Sequence, residues 1–348
     1  MSPSRTASPA TRHNQSIECF RLLASFLVVF VHIPFPGTFG SAINCIARCA
    51  VPGFFAISGF FSYGADSRRL ARRIRSMLVL ILAAFGVELL YNCVCIELDG
   101  GSSIGFLRAM IPTTRELLDF FFLCLNPLRD ALWYLPAALE VLCVLWVYVR
   151  FFGKDPVDYR PLYTVGVCLF AGNLAMGTLS QAAGNPIPVF LLRNGLFFGL
   201  PMFSMGLFLG QYHRQILENF SLNRPRLLLL TLAGIVTGLA EWFHIGICDV
   251  LLGTTFAVVC LMLLSANYPR LTENTRLSGI IATFGKLSTV IYVVHSLFID
   301  LCERYLQPML GSSGLLPWLM PLLVLAMSLT AAVCWERLTA LGRKFRKQ

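Results

Sequence analysis

Ten stretches of this chain are each apolar over roughly the 20 residues that a bilayer requires, and this leaves little choice of fold. They run approximately 17–34, 42–64, 76–96, 131–150, 162–180, 195–212, 227–244, 248–267, 283–302 and 317–336. In hydrocarbon every backbone N–H and C=O must be satisfied without water, so apolar segments of this length are read as helices. The expected fold class is an all-α polytopic membrane protein of about ten transmembrane helices. Composition agrees, because the chain is 56% hydrophobic and 13% charged, against about 25% charged residues in a soluble domain. The segment 113–128 (TTRELLDFFFLCLNPL) is apolar but short and edged by charges. It reads as an interfacial or re-entrant helix, with a poor eleventh span as the alternative.

The basic residues orient these spans. With the N-terminus inside, 21 of the 28 Lys and Arg fall in inside segments and five (Arg108, Arg115, Arg129, Arg193 and Arg304) fall outside. Inside loops carry the Lys/Arg excess in membrane proteins, so both termini are expected to be cytoplasmic. The same rule accounts for the net charge of +10, and no nucleic-acid partner is expected. The chain divides into a cytosolic tail (1–16), a membrane domain (17–336) and a basic cytosolic tail (337–348). Met1–Ser16 is polar and reads as a tail rather than a cleaved signal peptide. The twelve cysteines are scattered, and neither Cys45/Cys49 nor Cys93/Cys95 has a second ligand pair to match it. They read as small buried hydrophobes, with no metal site and no disulfide framework.

Ionisable residues inside such spans are costly and mark functional sites. The first span, IECFRLLASFLVVFVHI, carries Arg21 and His32, eleven residues apart. At about 100° and 1.5 Å per residue, they project from one face roughly 16 Å apart along the axis. Alone, Arg21 reads as a snorkelling helix-end residue; the aligned pair reads as functional. The second span contains RCAVPGFFAISGFF, where Pro52, Gly53 and Gly59 loosen the helix. Ser58 and Gly59 permit close helix packing. Arg48 needs an acidic partner or an aqueous pocket. The loop that follows, SRRLARRIRS, has five arginines in eight residues. It serves as a topology and lipid-headgroup signal or as a seat for a polyanionic cytosolic ligand. Arg69 with Arg72, and Arg72 with Arg75, share a helix face at i,i+3 spacing. In the fourth span Glu140 is a buried carboxylate that could pair with Arg48 or another cation, a structural role rather than a catalytic one. In the ninth, Ser288, Tyr292 and His295 fall on one stripe, where an interhelical hydrogen bond is the plainer role for His295.

In this order, these segments resemble the acyltransferase 3 family of mostly bacterial integral-membrane acyltransferases. The family's Arg–ten residues–His helix is matched by Arg21 and His32. Its PxFFxxSG-like signature is matched by Pro52, Phe54, Phe55, Ser58 and Gly59, and its RxxR motif by Arg69/Arg72 or Arg72/Arg75. A WYL-type helix start is matched by Trp133–Leu135, LPxFxxG by Leu200–Gly206, and SxxxYxxH by Ser288, Tyr292 and His295. The family's opening LDxLRG is replaced by IECFRLL, with its acidic residue shifted to Glu18.

The resemblance implies a multi-pass protein of the bacterial cytoplasmic membrane. It would move an acyl group, most often acetyl, from a cytosolic acyl-CoA to a hydroxyl of a carbohydrate or envelope glycan. Acyl-CoA (acetyl-CoA in the usual case) is then a donor substrate, and no bound cofactor is expected. The lipid bilayer and a separate envelope-biosynthesis protein are the other expected partners. On this reading His32 is the general base or a transient acyl carrier. Arg21, Arg69, Arg72 and Arg75 hold the CoA phosphates, and Arg48, Ser58, Tyr292 and His295 line the acceptor or oxyanion side. A transporter or flippase of a lipid-linked sugar or small solute fits the composition equally, although the lack of an obvious repeat counts against it. A non-catalytic partner domain is the third reading.

Overall fold

The computed structural model describes residues 14–153, 156–310 and 314–345. Among these the regular structure is helical throughout, with no strand. The chain opens with α1 (Gln15–His32), α2 (Gly37–Ala47) and α3 (Ala50–Phe60), followed by the long α4 (Ser67–Leu98). The short α5 (Ser103–Ala109) and α6 (Thr114–Leu123) precede α7 (Tyr134–Val147) and α8 (Arg160–Asn173). After the single turn α9 (Ser180–Ala182) come α10 (Leu200–Asn219), α11 (Arg224–Ile245) and α12 (Leu252–Asn267). The last elements are α13 (Thr275–Ile281), α14 (Phe284–Leu301), α15 (Gln307–Leu310) and α16 (Leu316–Phe345).

Each of the ten expected apolar stretches is largely helical, but among the described residues eight helical segments are both long and apolar enough to cross a bilayer. Two expected spans fall outside that set. The stretch 248–267 becomes a helix of 16 residues, Leu252–Asn267, about 24 Å long at 1.5 Å per residue. The stretch 195–212 becomes a π-helical turn, Gly195–Gly199, running into α10. Segment 113–128 resolves as the ten-residue α6, closed by a capping box between Thr113 and Glu116. At about 15 Å it is too short to span.

The expected tails are shorter as separate units than the composition suggests. Helix α1 already begins at Gln15, capped by the Asn14 side chain on the Ile17 N–H. Helix α16 runs unbroken to Phe345 through most of the basic tail. The rest of the expected tails, 1–13 and 346–348, lies outside the described residues.

The second span breaks between α2 and α3, at Arg48–Cys49. Pro52 has no N–H to donate, and its ring crowds the carbonyl four residues earlier, which is that of Arg48. The break therefore follows from the sequence, and it turns Arg48 into the interior. Beyond it, α3 lies against α10 at backbone contact. A Cβ on Gly59 would meet the Phe203 carbonyl oxygen at 2.0 Å, and one on Gly206 the Ala56 carbonyl oxygen at 2.0 Å. Reciprocal glycines are how membrane helices approach closely without a hydrophobic driving force between them. Around this seam sit Phe55, Met202, Phe203 and Leu207, all fully buried. The outer faces stay apolar and exposed, as Leu78, Val79, Leu82, Leu90 and Val94 of α4 are, which suits contact with lipid.

Helices α1 and α14 pack side by side and run parallel. Arg21 lies beside Gly285 at one end, and His32 meets His295 at the other. These two helices carry Arg21, His32, Ser288, Tyr292 and His295.

Candidate active site

Two cavities open along α1, at opposite ends, and α14 lines only the wide one. The wide one has a volume of about 710 Å³. It takes Arg21 from α1, Ser58 from α3, Arg69, Arg72 and Arg73 from α4, Tyr134 from α7, and Ser288 and Tyr292 from α14. Arg21 is held by Glu18 at 3.2 Å and lies over the Phe61 ring. Glu18 lies against α14 at Gly285, where a Cβ would stand 2.2 Å from its carboxylate and would require that side chain to move. Arg73 is turned inward. It donates to Ser62 and, at 3.1 Å, to the Ser58 hydroxyl. Arg69 and Arg72 are exposed and form no ion pair among the described residues.

The inner end of this cavity is aromatic. The rings of Tyr134 and Tyr292 are 5.5 Å apart, with Phe54 against both. The Tyr292 hydroxyl donates to the Ala131 carbonyl at 2.8 Å, so its proton is already engaged. Behind Tyr292 stands His295, with ring centres 5.7 Å apart, and behind that His32, at 5.3 Å. His295 Nδ1 lies 2.7 Å from the Tyr292 carbonyl. A carbonyl only accepts, so this contact assigns the proton to Nδ1. Nε2 is left as a lone pair, buried and without a partner among the described residues.

The second cavity is narrow, about 40 Å³, and His32 lines it together with Arg48, Arg193 and Asp249. Arg48 bonds Asp249, and Arg193 forks onto both oxygens of the same carboxylate at 2.5 and 2.9 Å. Only a thin wall divides the two cavities. Val51 and Pro52 face the narrow one and Phe54 the wide one, and likewise Trp133 and Tyr134. A buried clamp sets the chain that carries Trp133 and Tyr134. Glu88 of α4 accepts from Ser296 at 2.8 Å and from Arg129 at 3.1 Å, and Arg129 also bonds Asp300 at 3.2 Å.

Arg21, Arg69 and Arg72 line one cavity, together with Ser58 and Tyr292. Arg75 does not line it; Arg73 does. His32, Arg48 and His295 gather at the other end. Glu140 is not the partner of Arg48. It accepts from the Cys124 thiol at 3.1 Å and from the Gly195 N–H at 3.0 Å. Sequence reasoning passed over Asp249 and Glu88, although each is a carboxylate inside an expected span, which is the signal that singled out Arg21 and His32.

A family model described as an acyltransferase domain, Acyl_transf_3, matches residues 14–336. The chain belongs to the acyltransferase 3 family. No curated protein and no solved structure matches it. As a member of the acyltransferase 3 family with eight helices fit to cross a bilayer, it is a multi-pass membrane acyltransferase. The matched region takes in both cavities and the wall between them.

Proposed function

We propose that this acyltransferase moves an acyl group, acetyl in the simplest case, from a cytosolic acyl-CoA to a hydroxyl of a carbohydrate or cell-envelope acceptor. The bilayer it spans is then the bacterial cytoplasmic membrane, with the wide cavity open to the cytosol. The observation that carries this reading is the pair of cavities along α1. Arginines free of carboxylates line the wide mouth, and histidines lie beyond its inner end.

Free guanidinium groups are suited to phosphate oxygens, which they bind through two parallel N–H bonds. Arg69 and Arg72 would take the nucleotide phosphates of the donor, with Arg21 and Arg73 deeper. The pantetheine arm then runs inward along α1 to the wall of Val51–Phe54 and Trp133–Tyr134, which must part for the thioester to reach His32, roughly 16 Å from Arg21 along the axis. At the inner end the acceptor hydroxyl attacks the thioester carbonyl. His32 takes the hydroxyl proton as the new C–O bond forms. When the C–S bond breaks, the imidazolium returns that proton to the departing sulfur. A neutral imidazole suits the base role near neutral pH. His295 borders His32, with ring centres 5.3 Å apart, and on this reading it holds the His32 ring in position by contact.

The test uses purified protein in nanodiscs with acetyl-labelled acetyl-CoA. Donor binding and release of free CoA thiol are measured for the wild type and for Arg69→Gln/Arg72→Gln. The reading expects weaker donor binding in the variant with the fold intact. Equal donor binding by both proteins, or no thiol release with any cell-envelope glycan fraction, would sink it.

A further inference from the structure

The narrow cavity holds more positive charge than its own carboxylates balance. Arg48 and Arg193 converge on the single carboxylate of Asp249, whose two oxygens are both engaged. These groups are largely buried, with side-chain exposures of 12% for Arg48, 26% for Arg193 and 16% for Asp249. Asp130 approaches Arg193 only to 3.7 Å and is 68% exposed, so water screens it. Glu241 does not line the cavity and forms no ion pair with either arginine among the described residues; it accepts from the Gly253 N–H at 2.9 Å. The Arg48 Nε is buried with no acceptor among the described residues. A buried donor without an acceptor is rare and calls for an explanation. Val28, Val51, Trp133 and Phe198 wall the rest of the cavity, and in such surroundings an excess cation is costly until an anion arrives.

We propose that this cavity seats an anionic group of the acceptor, a carboxylate or a phosphate, between Arg48 and Arg193, so that the enzyme prefers acidic glycans. The inference rests on the acyl-transfer reading and names its acceptor class. His32 lines the same cavity, so a sugar anchored there by its charge presents a neighbouring hydroxyl to the imidazole. A volume of about 40 Å³ admits one small oxyacid group and leaves the sugar ring outside. Two guanidinium groups then fix both position and orientation, since each offers planar, paired donors.

Carbethoxylation of His32 by diethyl pyrocarbonate, quantified by mass spectrometry on the full chain in nanodiscs, tests this without any acyl transfer. Exposed His244 serves as the internal reference. Glucuronate or glucose 6-phosphate should slow modification of His32 at least threefold, and glucose should not. Which of the two acts more strongly separates carboxylate from phosphate. Arg193→Gln should lose the protection and Arg193→Lys should keep part of it. If His32 is inert to the reagent, a rise in Tm with glucuronate but not glucose decides the same question. Equal effects of glucose and the charged sugars, no effect of any, or full protection persisting in Arg193→Gln would overturn the proposal. Acetyl-CoA binding on the same preparation separates the two failures. Intact donor binding with no charge preference removes only the acidic acceptor, whereas lost donor binding removes only the donor reading.

Discussion

The two ends of the α1–α14 pair use arginine in opposite ways. At the wide cavity Arg69 and Arg72 are exposed and free of ion pairs among the described residues, while at the far end Arg48 and Arg193 share Asp249. The nearby Arg129 is likewise fastened to Glu88 and Asp300. An exposed, unpaired guanidinium contributes little to stability and is available to a ligand. A buried, paired one is part of the architecture, and removing either partner strands the other. Function at the wide end should therefore be separable from folding, and at the far end the two should be tied together.

The largest expected effect tests whether the chemistry lies between the two ends. His32→Gln keeps hydrogen-bonding capacity but cannot take a proton, and should lower the acyl-transfer rate about 10²–10⁴-fold without loss of membrane insertion. Initial rates on monodisperse protein check this. Near-normal activity would move the base to His295. Next comes the clamp. Arg129→Met leaves Glu88 buried without its cation and should cost about 3–5 kcal/mol of stability, read as a lower unfolding temperature in detergent. The double variant Glu88→Gln/Arg129→Met should recover much of it, and a further loss would contradict the pairing.

Arg69→Gln and Arg72→Gln should behave in the other way. Each removes a charge-assisted contact of about 1.5–3 kcal/mol, which is roughly a tenfold to hundredfold rise in donor KM, with unfolding temperature unchanged. Raising the ionic strength should weaken the wild-type donor interaction in the same direction, because exposed charges are screened. The smallest effect is expected from Arg75→Gln. That residue is exposed and does not line the cavity, and a surface change of this kind stays within about 0.5 kcal/mol. A KM rise matching that of Arg72→Gln would place the donor phosphates along the outside of α4.

Much of this arrangement was legible in the sequence. Apolar run length marked the helices, and Arg21 with His32 stood out because charge is rare in such runs. The break at Arg48 was latent in Pro52, four residues on. What could not be read was pairing between distant segments. Arg48 meets Asp249 across 201 positions, and Glu88 meets Ser296 across 208. Glu140 was a plausible partner for Arg48 by composition, yet it serves the Gly195 N–H at the start of a π-helical turn. Arg73 differs from its neighbours Arg72 and Arg75 only in the direction its place on α4 gives it, toward Ser58 and Ser62.

The sequence by itself determined the class of fold, because hydrocarbon thickness and the cost of unsatisfied backbone groups act on each segment separately, and the order of its motifs carried the resemblance to the family. It also determined which residues were out of place in a bilayer. Only the tertiary structure decided which of those residues share a cavity. That choice depends on how helices far apart in the chain approach, and reciprocal glycines such as Gly59 and Gly206 set that approach through backbone contacts that no single segment contains.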